Sequence, residues 1–360
     1  MKKIAFLVHD IHFGGGGERV VSNLSYLFTK KGYSVTIISL CKRENNTFSF
    51  PINEKVQIDY LNTNIFKIEL FNKIRSLFLL KKYFRKNHFD YILGIGTYLN
   101  ILLTLSQIDK NLTKTIGCEH NYFFSVSIFW NLLRRLFYKR LSVVVSLTEE
   151  DATQLQKINK NFIVIHNPLP FKTEKKALLV EKKIIALGRI SFQKGFDLML
   201  EMFKEFCKIN KEWTLEIRGN GDYKKLENYL KKFNIVDRVT LLPATNDVLS
   251  TYMDASIYLM TSRFEGLPMV LLEASECGLP MIAYNCKTGP SEIIKDGENG
   301  FLIPCYDKKM MVEKLNILCN DFKLRKKMGE KSKQLAKRFD KDIICNKWID
   351  LFNILDRNDS

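Results

Sequence analysis

Short, nearly continuous apolar runs alternate along this chain with longer stretches of helical spacing. Residues 3–8, KIAFLV, form such a run, the pattern of a strand buried in a parallel sheet. A loop follows, His12-Phe13-Gly14-Gly15-Gly16-Gly17. From Glu18 the apolar residues Val20, Val21, Leu24, Leu27 and Phe28 keep helical spacing until Gly32 ends the segment. YSVTIISL is the next strand, completing a βαβ unit. The glycine loop then stands at the carboxyl end of the first strand, where open α/β sheets bind ligands. It lacks G-x-G-x-x-G order and no acid ends the second strand, which argues against a nicotinamide cofactor. Successive glycines let backbone N–H groups approach a diphosphate; a plain flexible turn is the alternative.

The alternation continues. Residues 91–108 carry no charge, but Gly94, Gly96 and Asn100 interrupt them, so they read as a strand (YILGI), a turn and a buried helix rather than a membrane span. The strand TKTIGC ends at Glu119-His120-Asn121, putting His120 on the sheet edge that faces the glycine loop. SVVVSLT, a helix and FIVIHNPLP close the first half, and Pro168, Pro170 and the charged KTEKK mark a boundary. The second half restarts with KKIIALG, a loop carrying Arg189 and Lys194, and a helix over 196–209. WTLEIRG, RVTLLP, SIYLM and GLPMIAY follow as strands with helices between them, then DGENGFLIP and two or three closing helices. This predicts a second parallel sheet. Arg189 and Lys194, placed after a strand, suit a pyrophosphate: Arg as a bidentate donor, Lys as a point charge.

One stretch concentrates candidate chemistry: RFEGLPMVLLEASECG, residues 263–278. Pro268 suits the first helical position. The next N–H groups, at Met269 and Val270, then form an anion site. Glu273, four residues after Met269, falls on the same face, and Glu265 lies in the preceding loop. Phosphate on the amides and hydroxyls on the two carboxylates is the pattern a nucleotide sugar requires. The competing reading is a buried amphipathic helix with Val270, Leu271, Leu272 and Ala274 inward and both acids solvated.

Composition narrows the partners. The 360 residues, 46% apolar and 26% charged, are ordinary for a globular protein of two domains. Eight scattered cysteines contain no C-x-x-C, which predicts reduced thiols without a zinc site or disulfide framework. The net charge is +17, and residues 1–168 hold 23 Lys and Arg against 12 Asp and Glu. Such an excess suggests an anionic membrane surface or lipid phosphate; no recognised nucleic-acid motif accompanies it, so nucleic acid is not expected. Residues 66–88 read as a basic amphipathic helix, and the basic-aromatic segment 123–140 is similar; each suits a membrane interface or a solvated surface. MKKIAFLVHD does not read as a signal peptide.

Taken in order, GGGGER, EHN at 119–121, GRISFQKGFDLML, RGNGDYKKL, SRFEGLPMVLLEASECGLP and TGPSEIIKDGENGFLI resemble retaining family-4 glycosyltransferases of group 1, with the GT-B fold. The resemblance spans nearly the whole chain and is most specific in the C-terminal blocks. It implies an α/β fold of two Rossmann-like domains facing a central cleft: 1–168 for the acceptor, 178–340 for the nucleotide sugar, and a last helix in 341–360 crossing back. By the same resemblance, Arg189 and Lys194 neutralise the donor diphosphate and Glu273 holds the ribose hydroxyls. Glu265 contacts the donor sugar, His120 lies near that sugar, and Gly15 and Gly16 close over the phosphates. Gly219, Leu267, Met269 and Val270 complete the donor set. Pro243 and Pro290 depart from the family pattern, which often has glycine at the first and Gly-Gly around the second; Pro290 removes one amide.

The expected activity is transfer of a hexose or N-acetylhexosamine, with retention, from a nucleotide sugar of the UDP type. The expected acceptor is a saccharide linked to undecaprenyl diphosphate or a similar lipid, in surface polysaccharide or O-antigen assembly. The enzyme would be cytoplasmic and peripheral on the inner membrane face. No cofactor or metal is expected; the sole D-x-D, Asp340-Lys341-Asp342, lies outside the site motifs. A nucleotide-sugar 2-epimerase of the same fold, or a catalytically dead membrane scaffold, are the alternatives.

Overall fold

The computed structural model describes residues 1–41, 50–62, 69–106 and 112–357, except the side chains of residues 69 and 70. The start of the basic segment, residues 66–68, and the end of the uncharged run, 107–108, lie outside the described residues. The chain forms two units, Met1–Pro168 with Lys341–Ser360, and Leu169–Asp340.

The first unit is built on β1 (Lys3–Val8), β2 (Ser34–Ser39), β3 (Gln57–Tyr60), β4 (Tyr91–Ile95), β5 (Lys114–Cys118), β6 (Val143–Ser146) and β7 (Phe162–Val164). They pair in parallel in the order β3-β2-β1-β4-β5-β6-β7. Its helices are α1 (Gly16–Lys30), α2 (Glu69–Lys86), α3 (Thr97–Ser106), α4 (Ile128–Phe137) and α5 (Glu149–Leu155). The second unit carries β8 (Lys183–Leu187), β9 (Thr214–Arg218), β10 (Val239–Leu242), β11 (Ile257–Met260), β12 (Met281–Tyr284) and β13 (Gly300–Ile303). These too are all parallel, ordered β10-β9-β8-β11-β12-β13. Its helices are α6 (Phe196–Ile209), α7 (Lys224–Phe233), α8 (Val248–Met253), α9 (Met269–Glu276), α10 (Pro290–Ile293), α11 (Lys308–Asn320) and α12 (Phe322–Ala336). The last helix, α13 (Lys341–Arg357), belongs to the first unit.

Both orders are those of doubly wound sheets, with a switch point between β1 and β4 and another between β8 and β11. The apolar runs become central strands because both faces are covered: Ile4, Ala5, Phe6 and Leu7 are fully buried. On one face Phe28 of α1 packs edge-on against Phe352 of α13 at 5.4 Å, and Phe352 stacks on Tyr91 of β4 at 4.3 Å. Thus α13 supplies part of the first unit's core. The run at 91–108 divides into β4 and α3, and no described helix is long and apolar enough to cross a membrane.

Two local expectations need correction, and one strand was not expected. The first helix begins at Gly16, not Glu18, so Gly16 and Gly17 lie in its first turn behind Gly15 as N-cap. Helix α9 begins at Met269; Pro268 is its N-cap, with ψ 103°, rather than its first helical residue. Strand β3 is absent from the apolar pattern because QIDY is a half-exposed edge strand with one strong apolar residue.

Candidate donor site

In the second unit the β8–β11 ladder ends at Ile185–Tyr258, although β8 runs on to Leu187 and β11 to Met260. The two strands therefore part at their carboxyl ends, and the loops that follow them, 188–195 and 261–268, meet there. Gly195 has φ 64°, and a Cβ on it would lie 2.2 Å from the Thr261 carbonyl oxygen. Only glycine permits that approach, which the Thr261 hydroxyl locks by donating to the Gly195 carbonyl at 2.9 Å.

Further contacts hold the two segments together. The Arg263 N–H donates to the Gln193 carbonyl at 2.8 Å. The Arg263 guanidinium forks onto the Asp197 carboxylate at 3.0 and 2.7 Å and lies over the Phe192 ring. The Gln193 amide donates to the Phe264 carbonyl at 3.1 Å, and the Lys194 ammonium to Glu265 Oε1 at 2.7 Å. Burial works to raise the Asp197 carboxyl, but the hydrogen bonds and charge of Arg263 outweigh it and hold the pKa below its usual value. Arg263, Asp197 and Gln193 were not singled out in the sequence. The signal for the fork is an Arg inside one strand-end loop and an Asp just past the other.

Glu265 is 5% exposed, and its backbone carbonyl accepts from the Thr288 hydroxyl. Gly289, at φ 93°, sits so close beneath this loop that a Cβ would meet the Gly266 carbonyl oxygen at 2.3 Å. The 288–292 loop thereby braces the 264–268 loop, and Pro290 stands at the first position of α10, where an amide would have no helical partner. Leu267 is buried under the same turn.

At the start of α9 the first returning N–H groups are those of Leu271 and Leu272, both to the Pro268 carbonyl, at 3.0 and 3.4 Å. The Met269 and Val270 N–H groups precede them and have no acceptor within the helix. Leu271, Leu272 and Ala274 are fully buried, as the amphipathic reading requires, but Val270 is half-exposed and the acids are not solvated. Glu273 is 1% exposed and accepts from the Tyr252 hydroxyl at 2.7 Å. Arg189, by contrast, is exposed and forms no ion pair or hydrogen bond with the described residues. Gly219 is placed by packing: a Cβ there would collide with the Gly188 carbonyl at 1.7 Å, so it seats the turn that presents Arg189.

The remaining candidates belong to the first unit. The glycine loop is anchored: Asp10 accepts from the His12 N–H at 3.0 Å, Ile11 donates to Ser39 Oγ at 3.2 Å, and the His12 imidazole meets the Tyr60 hydroxyl of β3 at 2.9 Å. At Gly15 a Cβ would lie 2.6 Å from Glu18 Oε2, whereas around Gly16 the space is open to 4 Å. His120 has an enclosed Nε2 without a hydrogen-bond partner, among Val20, Ile95, Val145 and Ile165. Burial drives its pKa down to about 4, so the imidazole is neutral at pH 7.

Beside it lies a buried network that the sequence did not announce. Glu119 accepts from Arg134 at 3.3 Å, from the Thr97 hydroxyl at 3.1 Å and from the Tyr138 hydroxyl, while Asn100 donates to Tyr138 Oη at 3.0 Å. Arg134, expected among the bases of a basic surface segment, is 1% exposed.

Comparison with known proteins agrees with this architecture. Residues 171–335 match the family "Glycosyl transferases group 1", and residues 14–171 match "Glycosyltransferase Family 4". An uncharacterized glycosyltransferase of Haemophilus influenzae is 32% identical over 97% of this chain and 99% of its own length. The amylovoran biosynthesis glycosyltransferase AmsD of Erwinia amylovora is 30% identical over 98% of this chain and all of its own. A Campylobacter jejuni α-1,4-N-acetyl-D-galactosaminyltransferase, whose name specifies an undecaprenol-diphosphate-linked saccharide, is 25% identical over 98% of both chains. In fold, a Staphylococcus aureus TarM mutant crystallised with UDP superimposes with TM-score 0.81 at 17% identity, over 98% of this chain and 100% of its own. The chain belongs to the group 1, family 4 glycosyltransferases and has the GT-B fold.

Proposed function

We propose that this glycosyltransferase moves a hexose or N-acetylhexosamine from a UDP-sugar to a saccharide carried on a lipid diphosphate. The transfer retains anomeric configuration and needs no divalent metal. The carrying observation is the second unit's switch point, where an unengaged Arg189, the Lys194–Glu265 pair and the open amides of Met269 and Val270 stand on converging loops.

Cleaving an anomeric C–O bond leaves negative charge on the departing diphosphate. In this reading Arg189, Lys194 and the two amides stabilise that charge, which is stronger where water is excluded. Glu265, turned toward Lys194, accepts from sugar hydroxyls, and Glu273 accepts from the ribose in place of Tyr252. His120, neutral at pH 7, supplies no fixed cation in this reading.

The acceptor reading is supported by relatives named for amylovoran assembly and for undecaprenol-linked saccharides. A lipid-borne acceptor brings the enzyme to the cytoplasmic face of a membrane. Helix α2 suits that role: Phe71, Ile74 and Phe78 are exposed along one stripe, and exposed Lys81, Lys82, Arg85 and Lys86 follow. The test is incubation with radiolabelled UDP- and GDP-sugars and a bacterial lipid-linked saccharide extract. Label entering the organic phase supports the reading; label that enters only water-soluble glycans from every donor contradicts a lipid-linked acceptor.

A further inference from the structure

Helix α4 divides its bases between two environments. Arg134 turns inward to Glu119, whereas Arg135, and Lys139 in the 3-10 turn that follows the helix, stay exposed. Together with Lys157, just past α5, these two line a cavity of about 390 Å³ with Phe124 and Gln154. Among the described residues no carboxylate lines it and none of the three bases forms an ion pair; the Lys157 ammonium donates to the Gln154 side-chain oxygen at 3.1 Å. Three like charges around one cavity repel each other unless an anion joins them.

The same helix shows what carries that anion. Ile128, Phe129, Leu132 and Leu136 are exposed by 90, 61, 56 and 57%, and their spacing places them along one stripe. Phe124, at the cavity rim, is 55% exposed. A hydrocarbon layer beside a phosphate matches both features. Helix α4 approaches α2 on another face, where Lys73 of α2 sits 5.2 Å from the Trp130 ring.

We propose that the cavity beside α4 and α5 binds the phosphate of an anionic bilayer glycerophospholipid, with Ile128, Phe129, Leu132 and Leu136 entering the acyl layer. Its usefulness rests on the lipid-linked acceptor reading, but binding itself is measured without donor or acceptor.

The experiment floats the full chain with vesicles of equal parts phosphatidylglycerol and phosphatidylcholine, and with phosphatidylcholine alone. It compares the wild type with Arg135→Ser/Lys139→Ser/Lys157→Ser, with Ile128→Ser/Leu132→Ser, and with an equal-charge control, Lys30→Ser/Lys31→Ser/Lys55→Ser. UDP binding and circular dichroism confirm that each variant is folded. Near the surface each base contributes enough that losing the cavity's three lowers anionic-vesicle affinity about 100-fold. The control set should change it far less, and the Ser pair on α4 should weaken it at high salt as well. Equal loss in cavity and control variants, or none in either, overturns the site. Calorimetric binding of inorganic phosphate that the cavity variant abolishes, without vesicle binding by the wild type, also overturns it in favour of a soluble phosphate ligand.

Discussion

The Lys194 ammonium lies 2.7 Å from Glu265 Oε1, so two residues with separate proposed duties toward a donor already hold each other. Their side chains are 16% and 7% exposed. Removing one partner leaves a mostly buried charge uncompensated, which costs more than removing both. Lys194→Met should therefore destabilise the fold by about 3 kcal/mol, and Lys194→Met/Glu265→Gln by less than the sum of the single changes. Urea unfolding of the four proteins checks this; additive losses would mean that the pair is not coupled.

Glu273 is held by Tyr252 at 2.7 Å inside the helix of the signature stretch. If it exchanges that partner for the ribose, Glu273→Gln weakens UDP binding by about 1–3 kcal/mol through lost charge-assisted bonds. Tyr252→Phe, which removes only the competing donor, should leave affinity unchanged or raise it. Calorimetric titration with UDP decides: equal affinity in wild type and Glu273→Gln removes the ribose role.

His120 gives a pH signature. Its folded pKa, about 4, lies below the ordinary 6.5, so the unfolded chain binds the extra proton between those values. The stability held by neutral His120 is full above pH 6.5 and lost as pH falls toward 4, about 1.4 kcal/mol of it by pH 5.5. Asp151, pushed up to about 6 by burial, acts in the opposite direction, because the folded protein holds that proton longer. His120→Gln should therefore lose less stability than the wild type between pH 7.5 and 5.5. The same loss in both proteins would place His120 in solvent.

The alternating strands were legible because a strand covered on both faces must be apolar throughout; β1, β4, β6, β8 and β11 all stand where continuous apolar runs occur. Strand β3 was not, since an edge strand with Gln57 and Asp59 carries no such run. Yet Tyr60 at its end anchors the glycine loop through His12. Arg189, Lys194, Glu265 and the α9 start could be found because each follows a strand or opens a helix. The Lys194–Glu265 contact and the Arg263–Asp197 fork join residues 71 and 66 positions apart, which no local pattern encodes. Nor does composition reveal that Arg134 is buried while Arg135, beside it, is not.

The proposed membrane attachment through α2 would carry its own salt dependence. The exposed Lys81, Lys82, Arg85 and Lys86 contribute about 1 kcal/mol each near an anionic surface and are screened by salt; Phe71, Ile74 and Phe78 are not. Binding to anionic vesicles should fall strongly but incompletely from low to high salt. Replacing the four bases with Ser should weaken it by a few kcal/mol and leave UDP binding by the second unit unchanged. Equal binding by the variant would make α2 an ordinary solvated helix.

If the proposed diphosphate clamp of Arg189, Lys194 and backbone amides is right, donor turnover survives EDTA. The most direct measurement is release of nucleoside diphosphate from a panel of UDP- and GDP-sugars, with EDTA present, by the wild type and by Arg189→Ala/Lys194→Ala. The account predicts slow release from at least one UDP-sugar by the wild type and a loss of about 100-fold or more in the variant, the scale for removing transition-state charge stabilisation. Release that requires Mg²⁺ or Mn²⁺, or that is undiminished in the variant, would contradict it.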